Sequence, residues 1–240
     1  MRLPAVTDPV TVLTVNEVFG PTFQGEGPFV GQNAMFVRLF GCSLRCRWCD
    51  TAWTWDAARF ELAAEQRPMS VPGILDLLRP HRPGLVVITG GEPLLQQQAL
   101  VTLCDGIRAG GIAPAVQVET SGTVPPLPAL TAAVSMYCVS PKLANSGMRC
   151  HQRIRPRVLR QFASSGKAVF KFVACGPGDL DEIAEITTSY GLAPVWVMPE
   201  GTSSTLVLAR MRELAGPVAE RGWNLTSRLQ VLLWEDERGR

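Results

Sequence analysis

The chain has 240 residues, with 23 Lys and Arg against 21 Asp and Glu, and 46% of it is hydrophobic. That length suits one large domain burying about 70–75% of its unfolded surface. The near-balanced charge argues against dominant attraction to nucleic acid or a membrane surface, and no apolar run approaches the ~20 residues of a transmembrane helix.

The opening MRLPAVTDPVTVLTV has neither the apolar region nor the cleavage site of a signal peptide. With seven cysteines, an odd number, a reducing cytoplasm is expected and a disulfide framework is not. Further along, AMFVRLF (34–40), LVVIT (85–89), AVQVE (115–119), MYCVS (136–140), AVFKFV (168–173) and VWVM (195–198) read as buried strands. Helical patterns separate them. Ser70 is placed to cap VPGILDLLRP, the pattern over 94–111 stops at Gly110-Gly111, and that over 179–191 opens on acids and closes on Gly191. Three prolines in SGTVPPLPAL (121–130) are expected to exclude a regular element there. Strands alternating with helices give an α/β fold with about six mostly parallel strands; closed barrel, partial barrel and open sheet all remain compatible with that pattern.

In such folds the C-terminal strand ends share one crevice, where sites assemble from successive loops. The six loops here begin GCSLRCRWCDT, GGEP, TSG, SPK, ACGPGD and PEGTS. The first places Cys42, Cys46 and Cys49 in the spacing C-x3-C-x2-C. A structural zinc would need a fourth ligand, and the only histidines, His81 and His151, are distant in sequence. A thioredoxin-like pair fits less well, because a third cysteine precedes Cys46-x2-Cys49. Three thiolates also suit a [4Fe–4S] cluster with one iron left open for a small chelating ligand. Cys104 and Cys138 lie in apolar runs and read as buried thiols; Cys150 and Cys175 carry no assigned role.

C-x3-C-x2-C with Trp48 before the last cysteine resembles the signature of radical S-adenosylmethionine enzymes, and GGEP resembles that superfamily's glycine-rich motif. Residues 16–55 resemble the 7-carboxy-7-deazaguanine synthase family: Phe19, then Thr22, Gln24, Gly25, Glu26 and Gly27, Arg38 before the cysteine loop, and Cys49-Asp50-Thr51 after it. The match continues through ITGGEP, VETSG and SPK to about residue 199, and weakly in NLTSRLQVLLW. It implies a partial TIM-type barrel and conversion of 6-carboxy-5,6,7,8-tetrahydropterin to 7-carboxy-7-deazaguanine with loss of ammonia, in queuosine or other deazapurine biosynthesis. The implied chemistry begins with an adenosyl radical that abstracts hydrogen at C6 of the pterin; after ring contraction hydrogen returns from deoxyadenosine, S-adenosylmethionine is regenerated and ammonia leaves.

The same resemblance assigns roles residue by residue. Cys42, Cys46 and Cys49 hold the cluster and Thr51 supports Mg2+. Phe23, Gln24, Gly25, Glu26, Arg38, Thr89 and Glu119 meet the substrate. Gly90, Gly91, Glu92, Ser140, Pro141, Lys142, Met198, Pro199, Glu200 and Gly201 meet S-adenosylmethionine. Arg38 suits a carboxylate because an unpaired guanidinium in an apolar strand is costly; an internal salt bridge would satisfy it equally. Gln24 and Glu26 flank a glycine that lets the backbone approach a ligand, although a surface turn has the same composition. Thr51 is also an ordinary turn residue, and Lys142 an ordinary loop lysine. Whether Lys171 points inward is open.

The chain is expected to form a single domain: an N-terminal substrate-binding extension (1–33), a core (34–200) and a C-terminal helix and strand (201–240). The resemblance implies a homodimer and an electron donor such as flavodoxin or ferredoxin. The five arginines of RCHQRIRPRVLRQ (149–161) read as a solvated face or as a surface for such an acidic reductant, rather than as a tRNA contact. Two other classes stay open on sequence: a radical enzyme acting as an activase or on peptides, and a non-catalytic zinc or iron–sulfur protein.

Overall fold

The computed structural model describes residues 12–240; the opening residues of the N-terminal extension lie outside the described part. Strand β1 (Val12–Phe23) is followed by β2 (Asn33–Leu39), β3 (Arg67–Ser70), helix α1 (Val71–Leu78), β4 (Leu85–Gly90), α2 (Gln97–Ala109) and β5 (Val116–Thr120). Then come α3 (Pro128–Ala133), β6 (Met136–Val139), α4 (Cys150–Arg153), α5 (Pro156–Ser164), β7 (Ala168–Ala174) and α6 (Leu180–Tyr190). The chain closes with β8 (Val195–Pro199), α7 (Ser204–Glu220), β9 (Asn224–Leu225) and α8 (Leu229–Trp234). The nine strands form one open sheet in the order β3-β1-β2-β4-β5-β6-β7-β8-β9.

All six apolar runs form strands, and they lie side by side and parallel from β2 to β8. The sheet is larger than the expected six strands. Strand β9 extends it in parallel at one edge, while β1 and β3 add antiparallel strands at the other. Strand β1 hides from a periodicity reading because its pairing with β2 slips twice, at Val15/Glu17 and at Phe19/Thr22. Each bulge shifts the alternation of buried and exposed side chains by one residue.

The proposed helix ends hold. Ser70 Oγ accepts from Gly73 N at 3.2 Å, and Gly191 ends α6 at φ 67° and ψ 41°, the left-handed conformation that favours glycine. The expectation for 121–130 is corrected. Pro128 starts α3, because a proline at the first helical position lacks only an N–H that would have no helical partner anyway. Beyond residue 200 there are two helices and a short strand rather than one of each. No helix of the described residues is long and apolar enough to cross a membrane.

Alternation along the parallel strands gives the sheet two chemically different faces. Met35, Val37 and Leu39 of β2, Val86 and Ile88 of β4, Val118 of β5, Tyr137 and Val139 of β6, Phe170 and Phe172 of β7, and Val197 of β8 join the helices in the main core. The residues between them face the other way. Phe36, Arg38, Thr89, Glu119, Cys138, Lys171 and Met198 line a single cavity. One strand residue in two is therefore available for chemistry, and the core is built from the rest.

Candidate active site

The cysteine loop follows β2 and is held by the loop after β4. Glu92 N donates to Gly41 O at 2.8 Å and Gly91 N to Leu39 O at 3.1 Å. A Cβ on Gly91 would stand 2.1 Å from Gly41 O, and one on Gly90 (φ 141°) 2.2 Å from Leu39 O. No side chain fits at either position, so the Gly-Gly pair lets one loop lie against the other. The Glu92 carboxylate is fully buried and accepts from Leu94 N, Thr120 Oγ1, Ser121 N and Ser121 Oγ at 2.5–3.1 Å. It ties the β4 and β5 loops together and does not line the cavity. The carboxylate of Glu92 is thus engaged within the fold, in the loop that Gly90 and Gly91 share.

Cys42, Cys46 and Cys49 all line the cavity. Cys42 Sγ accepts from Leu44 N at 3.4 Å, and Cys49 Sγ accepts from Trp55 Nε1 at 3.3 Å. Burial pushes the Cys42 thiol up to about 11 and raises that of Cys46 as well. Thiols so placed give up their protons to a bound metal, whose positive charge offsets the cost of a buried thiolate. Among the described residues no three His, Cys, Asp or Glu side chains converge on a point suited to a single ion, and both histidines are exposed and absent from the cavity lining. Cys138 lines the cavity at its other end, with Lys171, Glu119 and Glu26 as its charged surroundings. Three thiols of one loop, two already accepting N–H bonds, with Cys138 not grouped with them, fit an iron–sulfur cluster with an open iron better than a four-ligand zinc site.

The loop after β6 braces the cysteine loop from outside. Asn145 Oδ1 accepts from Trp48 Nε1 at 3.1 Å, while Asn145 Nδ2 donates to Val173 O and to Asp179. Arg153 anchors this brace. Buried, it pairs with Glu182 at 2.7 Å and donates to Lys142 O and Met148 O. That corrects the reading of the basic stretch at Arg153 alone, which belongs to the interior, while Arg149, Arg155, Arg157 and Arg160 are exposed as a solvated face requires. Ser140 and Lys142 line the cavity, with Lys142 Nζ donating to Ser140 Oγ at 2.9 Å; Pro141 does not. In the β8 loop Met198 and Glu200 line it, Glu200 held by Arg210, whereas Pro199 and Gly201 do not.

The other end of the cavity is built on Glu26. Its carboxylate pairs with Lys171 and with Arg228 at 3.3 Å, and accepts from Gln230 Nε2 at 2.8 Å. Burial alone would raise its pKa, but the two cations outweigh that and hold the group down at about 2. Arg228 reaches further, pairing with Asp50 of the cysteine loop and donating to Gly201 O at 2.5 Å. A Cβ on Gly25 would meet Gln230 Oε1 at 1.6 Å, so the glycine leaves that amide the room to reach Glu26. Beside them Glu119 accepts from Gln24 Nε2 at 3.1 Å, Gln117 Nε2 at 3.2 Å and Thr89 Oγ1 at 2.8 Å. Arg38 uses Nε in an ion pair with Glu17 at 2.7 Å and sits over Phe19, which stacks on Phe36. Phe23 stacks on Trp234 with the rings nearly parallel.

The structure brings Thr51, Phe23, Gln24, Gly25, Glu26, Arg38, Thr89, Gly90, Gly91 and Glu119 into the same cavity as the three cysteines. Sequence reasoning missed Arg228, Gln230, Trp55 and residues 235–240, all of which line it too. Lys171 had a readable signal: it stands between Phe170 and Phe172, which face the helices, so alternation sends it to the cavity. Arg228 had none, since nothing local announces a partner 178 residues away.

A family model described as a 4Fe-4S single cluster domain matches residues 23–127. The 7-carboxy-7-deazaguanine synthase of Pyrobaculum aerophilum is 37% identical over 94% of this chain and 96% of its own. That of Hyperthermus butylicus is 36% identical over 93% of each. Among solved structures, QueE from Escherichia coli superposes with a TM-score of 0.68 at 26% identity, covering 90% of this chain and 93% of that one. With near-complete mutual coverage by the relatives, and with the three cysteines of one loop lining a cavity at the C-terminal ends of the parallel strands, the chain belongs to the 7-carboxy-7-deazaguanine synthase family.

Proposed function

We propose that this chain contracts 6-carboxy-5,6,7,8-tetrahydropterin to 7-carboxy-7-deazaguanine with release of ammonia, a step of deazapurine biosynthesis such as that of queuosine. The observation that carries this reading is the single cavity holding three thiols at one end and the Gln24, Glu26, Glu119 and Arg38 side chains at the other. Cys42, Cys46 and Cys49 would hold a [4Fe–4S] cluster, Gly90, Gly91, Ser140, Lys142, Met198 and Glu200 would surround S-adenosylmethionine, and together these two groups supply one-electron radical initiation.

The chain's own residues do the recognising. Glu119 and Glu26 offer carboxylate acceptors to the N–H edge of a pterin, and Lys171 with Arg228 keeps Glu26 ionised for that purpose. Arg38 suits the substrate carboxylate as an ion partner, with Glu17 holding its Nε end meanwhile. Thr51 is buried beside Cys49 and supplies a hard oxygen suited to Mg2+ with substrate and water as co-ligands. Residues 23–27, at the end of the N-terminal extension, form the substrate shelf. A homodimer in the cytoplasm, reduced by flavodoxin or ferredoxin, completes the reading.

The test is anaerobic incubation of the reduced, cluster-loaded chain with S-adenosylmethionine, Mg2+ and the carboxypterin, followed by mass spectrometry. The deazapurine is expected. Deoxyadenosine and methionine without any deazapurine would reject the substrate assignment while keeping the radical chemistry.

A further inference from the structure

Among the described residues, Cys49 is the one thiol of the loop that accepts from a side-chain N–H. Trp55 Nε1 donates to its Sγ at 3.3 Å. The backbone that carries the indole is closed into a turn. Trp55 N donates to Ala52 O at 3.0 Å, closing the turn Ala52–Thr54, and Thr54 is itself tied to Thr51 O through both N and Oγ1. Arg45 adds a second, independent contact. Its guanidinium carbon lies 4.8 Å from the Trp55 ring centroid, and its Nη1 is anchored on Cys42 O at 2.8 Å and Leu44 O at 3.1 Å. A cation over an indole draws electron density out of the ring, and an electron-poor indole is a stronger N–H donor.

We propose that Trp55 is a positioning residue for the cluster ligand Cys49, and that its N–H, strengthened by Arg45, raises the reduction potential of the bound iron–sulfur cluster. The proposal rests on the family reading of the three cysteines. Its physical basis is the sign of the charge change. Reduction adds an electron that is shared with the thiolate sulfurs, so a donor aimed at one of them stabilises the reduced cluster more than the oxidised one. Removing the donor therefore makes the cluster harder to reduce. A tryptophan that merely walls the cavity would have no such effect, because phenylalanine would wall it as well.

The experiment compares the cluster-loaded, unmodified chain with Trp55→Phe and Arg45→Gln in equilibrium redox titrations, following the reduced cluster by electron paramagnetic resonance. The potential is expected to fall in Trp55→Phe and to fall less in Arg45→Gln, which leaves the N–H in place. Equal potentials in the unmodified and Trp55→Phe proteins overturn the proposal. Should Trp55→Phe hold no cluster, the unmodified chain carrying isotopically labelled indole nitrogen answers instead. Electron–nuclear double resonance is then expected to show that nitrogen coupled to the reduced cluster, and the lack of any coupling overturns the proposal. Failure of the family reading looks different, because the unmodified chain would then assemble no cluster at all.

Discussion

Arg228 is the residue on which the two ends of the cavity meet. It is buried and contacts Glu26 at one end of the cavity, Asp50 of the cysteine loop and the backbone of Gly201. Removing one partner of a buried ion pair costs about 3–5 kcal/mol, chiefly because the other charge is left without compensation. Arg228→Gln is expected to approach the lower part of that range in urea denaturation, since Glu26 keeps Lys171 and Gln230. Arg228→Lys should recover part of the loss. Glu26 also sets the acid limit. Its pKa is about 2 in the folded chain against 4.5 as the ordinary value, so its contribution is complete above 4.5 and is lost as the pH falls toward 2. In Arg228→Gln the depression weakens, so the loss still begins near 4.5 but is smaller and is complete at a higher pH. An unshifted limb would mean that Arg228 does not hold Glu26 ionised.

The elements show how loops are made to touch. Gly91→Ala forces a Cβ to within 2.1 Å of Gly41 O, a backbone atom that can give way only if the cysteine loop moves. Iron loading of Gly91→Ala is expected to fall sharply while the circular dichroism of the sheet and helices persists. Ser70→Ala is the contrasting case. It removes the cap of α1, far from the loops, and should cost about 1 kcal/mol of stability with iron loading unchanged. The parallel strands were legible because each is a short apolar run ending in polar or glycine-rich residues. Strand β1 was not, because two slips in its register erase the alternation, and α3 was not, because its first residue is the kind that usually ends a helix. The cysteine loop and Gly-Gly turn were legible as local patterns. Glu92 sat inside such a pattern with its carboxylate turned away from the cavity, and burial is a property that no pattern of neighbours reveals.

Over the whole molecule, distant parts of the chain meet at the rim of the cavity. Arg238 donates to Glu17 of β1, to Glu65 and to Asn16, and lies over Trp53 at 4.7 Å. These ion pairs are substantially exposed, and exposed pairs contribute about 1 kcal/mol or less. Arg238→Ala is therefore expected to change the melting temperature little. Because Glu17 also holds Arg38, the same variant should raise the KM for the carboxypterin with a smaller change in kcat. A large drop in melting temperature with unaltered KM would make the tail a structural brace only. No sequence pattern joins residues 17, 65 and 238, so this rim had to be seen folded.

In the proposed function Cys42, Cys46 and Cys49, with no fourth donor from the described residues, would hold an iron–sulfur cube and leave one iron for S-adenosylmethionine. Mössbauer spectroscopy of anaerobically loaded chain, recorded with and without S-adenosylmethionine, tests it most directly. A cubane spectrum is expected in which a single iron site shifts when the cofactor is added. Stoichiometric zinc in place of iron, or a cubane that does not respond to S-adenosylmethionine, would contradict it.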